Sequence, residues 1–279
     1  MTVAITANAF DTLAGLLKSR SGLVIGPEKT YLLETRLAPI LKREKLTDLT
    51  ALAERIKRSA TDPLARDVVE AMTTNESFFF RDDKPFQHFR VQTLPRLLAA
   101  RPASTTLRIW SAASSSGQEA YSLAMILAES RPMLAGRTIE ITGTDIARDQ
   151  LARAQEGLYS QFEVQRGLPV QMLMRHFTKE GNNWRLSDTI RSMVLFRELN
   201  LLGDLRALGR FDVVFCRNVL IYFDQPTKAR VLDAIAAQMP ADGALYLGGA
   251  ETVLGITGRF APKQGEHGVY GLTAARAAA

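Results

Sequence analysis

The chain of 279 residues has one cysteine, Cys216, and three histidines. A single thiol excludes an internal disulfide and any metal site built from a cysteine cluster. His88, His176 and His267 lie far apart and none stands in an HxxxH or HxH spacing, so no metal is expected. No run of about eighteen apolar residues occurs, and no membrane insertion is expected. The first ten residues lack the charged start and apolar core of a signal peptide, which points to the cytoplasm. Blocks of five like charges are absent, as is any interleaving of basic with aromatic residues. The net charge of +6 admits nucleic acid as a partner, but 35 basic residues are spread among 29 acidic ones and no nucleic-acid partner is expected. What remains is a composition ordinary for a globular protein, 46% hydrophobic and 23% charged, in a length that suits one large or two modest domains.

One stretch organises the rest. Residues 107–123 read LRIWSAASSSGQEAYSL, in which 107–110 are strand formers, 111–117 contain only Ser, Ala and Gly, and a helical pattern starts at Gln118. A turn of small side chains between strand and helix lets a ligand lie against the backbone, within reach of the unpaired N–H groups at the helix start. A dinucleotide site needs three glycines there to seat a pyrophosphate. Gly117 is the only glycine in this turn, which suits a nucleoside without a pyrophosphate, such as S-adenosylmethionine, better than NAD. A plain loop is the competing reading of the turn taken alone.

The first 92 residues read as a helical domain with its linker. Phe10, Leu13, Leu16 and Leu17 recur at helical spacing up to the SG at 21–22. Pro27 opens a second helix with Tyr31, Leu32, Leu37, Ile40 and Leu41 on its apolar face, and Pro39 is expected to kink or interrupt it. Two short helices follow at 49–58 after Asp48 and at 63–72 with Asp62 as cap. Residues 1–60 hold ten Lys and Arg against six Asp and Glu, either a solvated helix face or a docking face for an acidic partner helix. Residues 72–90 carry Asn75, Glu76 and Ser77, then Phe78 to Phe80 and Arg81. The phenylalanines suit a core, and Arg81 a surface pair with Asp82 or Asp83.

From residue 93 to 279 strand-like and helical runs alternate. Strands are expected at 107–110, 138–143, 193–197, 211–216, 244–248 and 269–272, and the clearest helices at 121–129, 148–155 and 225–239. Such alternation implies a parallel sheet with helices on both faces and a ligand at the carboxyl ends of the strands. Glu119 falls in the first turn of the helix after the small-residue run, where the dipole favours a carboxylate. Asp145 ends the second strand, where a carboxylate can grip a ribose diol or cap the helix from Ile146. Cys216 suits a small buried hydrophobe, while Asn218 and Tyr222 are polar groups near the sheet's mouth. Residues 176–190, HFTKEGNNWRLSDTI, read as an inserted hairpin about a turn at 181–183, within a small β subdomain spanning about 172–192. Its edge is open to receiving a peptide strand.

Together, TTNESFFFRD, IWSAASSSGQEAYSLAM, the TD of GTDI, the NLL at 200–202 and FDVVFCRNVLIYFD resemble the chemoreceptor glutamate methyltransferases of bacterial chemotaxis, the CheR family. The resemblance covers the whole chain, with five separated motifs in order. It implies an α/β, Rossmann-like S-adenosylmethionine-dependent methyltransferase domain with an inserted small antiparallel β subdomain, preceded by an all-α N-terminal domain. It also implies transfer of a methyl group from S-adenosylmethionine to glutamates on the cytoplasmic helical domain of chemoreceptors, leaving S-adenosylhomocysteine. Asn75, Ser77 and Arg81 match the segment holding the methionine part of the cofactor, with Ser77 where Thr is usual. Glu119 and Asp145 match the acidic cofactor contacts, and Asn200, Leu201, Arg217 and Asn218 the positions around the adenine and the reacting end. Tyr222 matches the tyrosine near the transferred methyl, so that Arg81 and Tyr222 are the expected catalytic pair. KEGNNW is shorter and poorer in glycine than the turn of members that tether to a receptor tail peptide, so no tethering is expected, and the chain is expected to act as a monomer. The competing readings are a methyltransferase acting on RNA or a small molecule, and a cofactor-sensing interaction protein without turnover.

Overall fold

The computed structural model describes residues 5–58, 63–263 and 266–273. Two compact units divide it, one made of Met1–Thr74 with Tyr222–Thr227 and the other of Asn75–Ile221 with Lys228–Ala279.

The first unit is a helical bundle. Helix α1 (Ala7–Ser21) begins where Thr6 Oγ1 accepts from Ala9 N at 3.3 Å and ends at Gly22, whose φ of 80° is open to glycine without strain. It buries Ala9, Leu13 and Leu17, one residue per turn on one stripe. Helix α2 (Thr30–Arg43) continues through Pro39, so the proline does not interrupt it. Its buried stripe is Leu33, Leu37 and Ile40, whereas Tyr31 is 60% exposed. The i, i+4, i+7 line through Leu33 is the face that meets the bundle. Helices α3 (Leu49–Arg58) and α4 (Pro63–Met72) have the expected bounds, with Asp48 Oδ1 accepting from Ala51 N at 2.8 Å; the expected cap Asp62 lies outside the described residues. Helix α1 packs on α3 and α2 on α4. Arg36 Nη1 donates to Met72 O at 2.7 Å and Thr73 O at 3.0 Å, satisfying carbonyls that the end of α4 leaves open.

The second unit is built on a seven-stranded sheet. Its strands are β1 (Leu107–Ala112), β2 (Ile139–Asp145), β6 (Val194–Glu198), β7 (Val213–Cys216), β8 (Ala244–Leu247), β9 (Phe260–Pro262) and β10 (Val269–Leu272), in spatial order β6-β2-β1-β7-β8-β10-β9. The first five are mutually parallel; β10 pairs antiparallel with β8, and β9 antiparallel with β10. Every residue of β7 and β8 is buried, which is why those runs read as continuously apolar. A second sheet, ordered β3-β5-β4, contains β3 (Leu158–Ser160), β4 (Phe177–Glu180) and β5 (Asn183–Leu186), all antiparallel. The hairpin was legible in the sequence; β3 and β9, three residues each, are too short to show a period.

The sheet unit begins at Asn75, well before the boundary expected near 92. Phe79, Phe86 and Phe89 are almost wholly buried there, and Phe79 sets its ring edge-on to Tyr159 at 5.0 Å and Phe177 at 5.6 Å. Helix α5 (Lys84–His88), a π-helical stretch Phe89–Thr93 and helix α6 (Leu94–Ala100) follow directly, burying Leu94 and Leu97.

Candidate active site

The carboxyl ends of β6, β2, β1, β7 and β8 lie side by side, and the strand order changes direction between β1 and β7. That is where a sheet of this type leaves a crevice for a ligand. The small-residue turn follows β1. Ser114 N donates to Thr144 O at 2.8 Å and Gly117 N to Ser114 O at 2.9 Å. Ala113 and Ser115 have φ of 59° and 49° and Gly117 92°, a left-handed path that bulky side chains would strain. Helix α7 (Gln118–Glu129) starts at once, so the turn opens onto its N-terminus.

Asp145, 6% exposed at the tip of β2, holds this turn. Its Oδ2 accepts from Ser115 N at 2.8 Å and its Oδ1 from Ala147 N at 2.9 Å, just ahead of helix Arg148–Glu156. Ser115 Oγ donates in turn to Asn75 O at 3.0 Å, which ties the start of the phenylalanine-arginine segment to the same turn.

Glu119 sits in the first turn of α7. Ser111 Oγ donates to its Oε1 at 2.8 Å and Arg217 Nη1 to its Oε2 at 3.1 Å. Burial pushes the Glu119 carboxyl above its ordinary range, opposed by the charge of Arg217 and the Ser111 hydrogen bond. Arg217 follows β7, and its Nη2 donates to Asp82 Oδ2 at 2.6 Å and Arg81 O at 2.8 Å. The guanidinium also lies 5.5 Å from the Phe86 ring centroid. Arg217 thus joins β7, α7 and the turn at 80–83, in which Phe80, Asp82 and Asp83 all have φ between 45° and 66°.

Arg81 does not make the expected surface pair with Asp82 or Asp83. Asp82 pairs with Arg217, and Arg81 Nη1 donates to Glu76 O at 2.9 Å with its guanidinium 5.3 Å from the Phe78 ring centroid. Leu199 N donates to Asp145 O at 2.9 Å, which brings the start of 199–202 to the tip of β2; there Asn200 Oδ1 accepts from Leu202 N at 2.9 Å and Leu201 is buried. Asn218 follows Arg217 with φ of 59°. Ser77 is half-buried in the irregular stretch before Phe79. Tyr222 belongs to the helical unit, where its carbonyl accepts from Val24 N at 3.0 Å. The sequence reading passed over Ser111 and Asp82, the partners of Glu119 and Arg217, and Glu251, whose carboxylate gathers the main chain after Arg217. The one signal for Glu251 was an acid closely following a glycine pair at a strand's end.

The donor set fits a nucleoside carrying hydroxyls and a cation. One carboxylate, Asp145, stands at the tip of β2 and another, Glu119, in the first turn of α7, and Ser114 Oγ and Arg217 Nε are buried without a hydrogen-bond partner among the described residues. Among the described residues no group of three or more His, Cys, Asp or Glu is placed to hold a metal ion, and no helix is long and apolar enough to cross a membrane.

Residues 75–269 match the family described as "CheR methyltransferase, SAM binding domain", and residues 8–73 that described as "CheR methyltransferase, all-alpha domain". The sheet, its turn and the matched domain define an S-adenosylmethionine-dependent methyltransferase. The chain belongs to the CheR methyltransferase family. It is 38% identical over 268 residues to "Chemotaxis protein methyltransferase 1" of Pseudomonas aeruginosa, covering 94% of this chain and 97% of that protein. It is 37% identical over 262 residues to "Chemotaxis protein methyltransferase" of Vibrio anguillarum, covering 92% and 94%.

Proposed function

We propose that the enzyme methylates glutamate side chains on the cytoplasmic helices of chemoreceptors, forming glutamate 5-O-methyl ester and S-adenosylhomocysteine. The observation that carries this reading is the match of both CheR domains, in order, over residues 8–73 and 75–269. In it, Asn75, Ser77 and Arg81 hold the methionine part of the cofactor, Glu119 and Asp145 make the acidic contacts, and Asn200, Leu201, Arg217 and Asn218 surround the adenine and the reacting end. Tyr222 is assigned to the transferred methyl by the motif resemblance alone.

When bound, S-adenosylmethionine supplies a methyl carbon made electrophilic by its sulfonium. A glutamate carboxylate is already ionised near neutral pH, so the protein needs no general base. In keeping with that, both oxygens of Glu119 and both of Asp145 already accept hydrogen bonds. The protein's work is alignment and exclusion of water, because an anion and a cation lose their charges together in the transfer and solvation opposes that loss. Arg81 keeps N–H groups beyond the one given to Glu76 O, with which to grip the cofactor's carboxylate or orient the substrate's.

Incubation of a receptor cytoplasmic domain with labelled cofactor tests the reading. Label released as methanol by alkali supports a methyl ester. An alkali-stable product on RNA or a small molecule establishes the competing substrates, and binding without incorporation establishes a sensor. The hairpin closes in two residues, Gly181 and Asn182, between the paired Glu180 and Asn183. We take the enzyme to work as a cytoplasmic monomer without tail-peptide tethering; calorimetry with such a peptide is expected to show no binding, and tight binding overturns this.

A further inference from the structure

Strand β8 runs into Gly248, Gly249, Ala250 and Glu251. The Glu251 side chain turns back under the tip of β7. Its Oε1 accepts from the main-chain N–H of Val219 at 2.9 Å, Leu220 at 2.7 Å and Ile221 at 3.3 Å, and its Oε2 from Asn218 at 2.8 Å and Gly248 at 2.7 Å. Glu251 N donates to Gly248 O at 2.9 Å, and the residue is 9% exposed. Successive N–H groups aimed at one centre form an anion nest, and here the nest is filled by the protein's own carboxylate. Without an acceptor the buried N–H groups of Leu220 and Gly248 would go unpaired, an arrangement native proteins avoid.

The segment so gathered, 218–221, leaves β7 directly after Arg217. It includes Asn218, held at a left-handed φ of 59°. Gly248 is part of the same design: a Cβ there would lie 2.8 Å from Asn218 Nδ2, 2.9 Å from Glu251 Oε2 and 3.0 Å from Asn218 N. Only a glycine lets the carboxylate and the main chain of Asn218 approach that closely.

We propose that Glu251 is a positioning residue for methyl transfer: it holds the main chain of 218–221 and so fixes how Arg217 and Asn218 are presented at the mouth of the sheet. This rests on the methyltransferase reading of that site. Glu251 acts through the backbone, since its carboxylate accepts its described hydrogen bonds from main-chain N–H groups alone.

Glu251→Gln, in the full chain, offers one acceptor oxygen and turns an NH2 group toward the same donors. Its kcat on a receptor domain is expected to fall about 100-fold, the scale of an ångström-sized misplacement, with a much smaller change in cofactor KM. The amides of 218–221 are expected to lose hydrogen-exchange protection. Glu251→Asp keeps the charge and recovers part of kcat, and Gly248→Ala, which displaces the carboxylate without removing it, reproduces the Gln variant. A folded Glu251→Gln enzyme with unchanged kcat, or with unchanged protection at 218–221, overturns the proposal. If that variant does not fold, Glu251→Asp and Gly248→Ala decide by the same readouts. A parent chain that binds S-adenosylmethionine but methylates no receptor would defeat the receptor reading, and exchange at 218–221 would still decide whether Glu251 orders the segment.

Discussion

Arg217 Nη1 donates to Glu119 Oε2 at 3.1 Å, joining a guanidinium 1% exposed to a carboxylate 13% exposed. Neither charge has much water to fall back on, so each depends on the other. Arg217→Leu leaves Glu119 with only its Ser111 hydrogen bond and is expected to cost about 3–5 kcal/mol, the usual result of orphaning a buried charge. Glu119→Gln keeps an acceptor oxygen and is expected to cost about 1–2 kcal/mol. Urea unfolding of the two variants checks the order, and equal costs would contradict the pairing.

Arg81 is the opposite case. Its guanidinium donates to the Glu76 carbonyl and lies beside the Phe78 ring, and the residue is partly exposed. Arg81→Ala is therefore expected to change stability by less than about 1 kcal/mol while most turnover is lost through a misplaced methyl donor. Thermal midpoint and turnover measured on one preparation separate the two effects. Unchanged turnover with purified receptor rejects the role.

Asp145→Asn removes one of two acceptors that hold Ser115 N and Ala147 N. A stability loss of about 1–3 kcal/mol is expected from the unpaired donor. Affinity for S-adenosylhomocysteine should fall by an order of magnitude or more, because each lost charge-assisted hydrogen bond is worth about 1.5–3 kcal/mol. Calorimetric titration with S-adenosylhomocysteine is the check, and parental affinity would remove Asp145 from the cofactor site.

His176 governs a pH dependence outside the site. Its ring is buried, Nε2 has no partner among the described residues, and desolvation lowers its pKa, with Glu129 opposing and Arg175 adding to the shift. The unfolded chain takes up the proton first, so stability is complete above pH of about 6.5 and falls as pH drops from there through the folded value. His176→Phe is expected to flatten this limb. Urea midpoints between pH 8 and 5 for parent and variant measure it, and identical slopes would refute the assignment.

Part of the arrangement at the strand ends was legible in the sequence. The turn 111–117 announced itself because only small residues suit its left-handed path, and Asp145 because an acid at a strand's end is placed by the strand itself. The pairing of Asp82 with Arg217 was not visible, since the two are 135 positions apart and an adjacent Arg81 offered a simpler partner. In α2 the sequence pointed correctly to Leu37 and Ile40 but to Leu32 instead of Leu33 for a related cause: both are apolar, and only the neighbouring helices choose between them.

By itself the amino-acid sequence determined what depends on neighbours along the chain: the four bundle helices, the apolar strands of a parallel sheet, the strand-turn-helix at 107–129 and the motifs that mark the family. The tertiary structure alone decided which distant groups meet. It drew the phenylalanine segment into the sheet unit, paired Arg217 with Glu119 and Asp82, and gave five main-chain donors to Glu251. The physical reason is that a buried charge or N–H must be satisfied by whatever group the packing brings within about 3 Å, and sequence spacing carries no record of that distance.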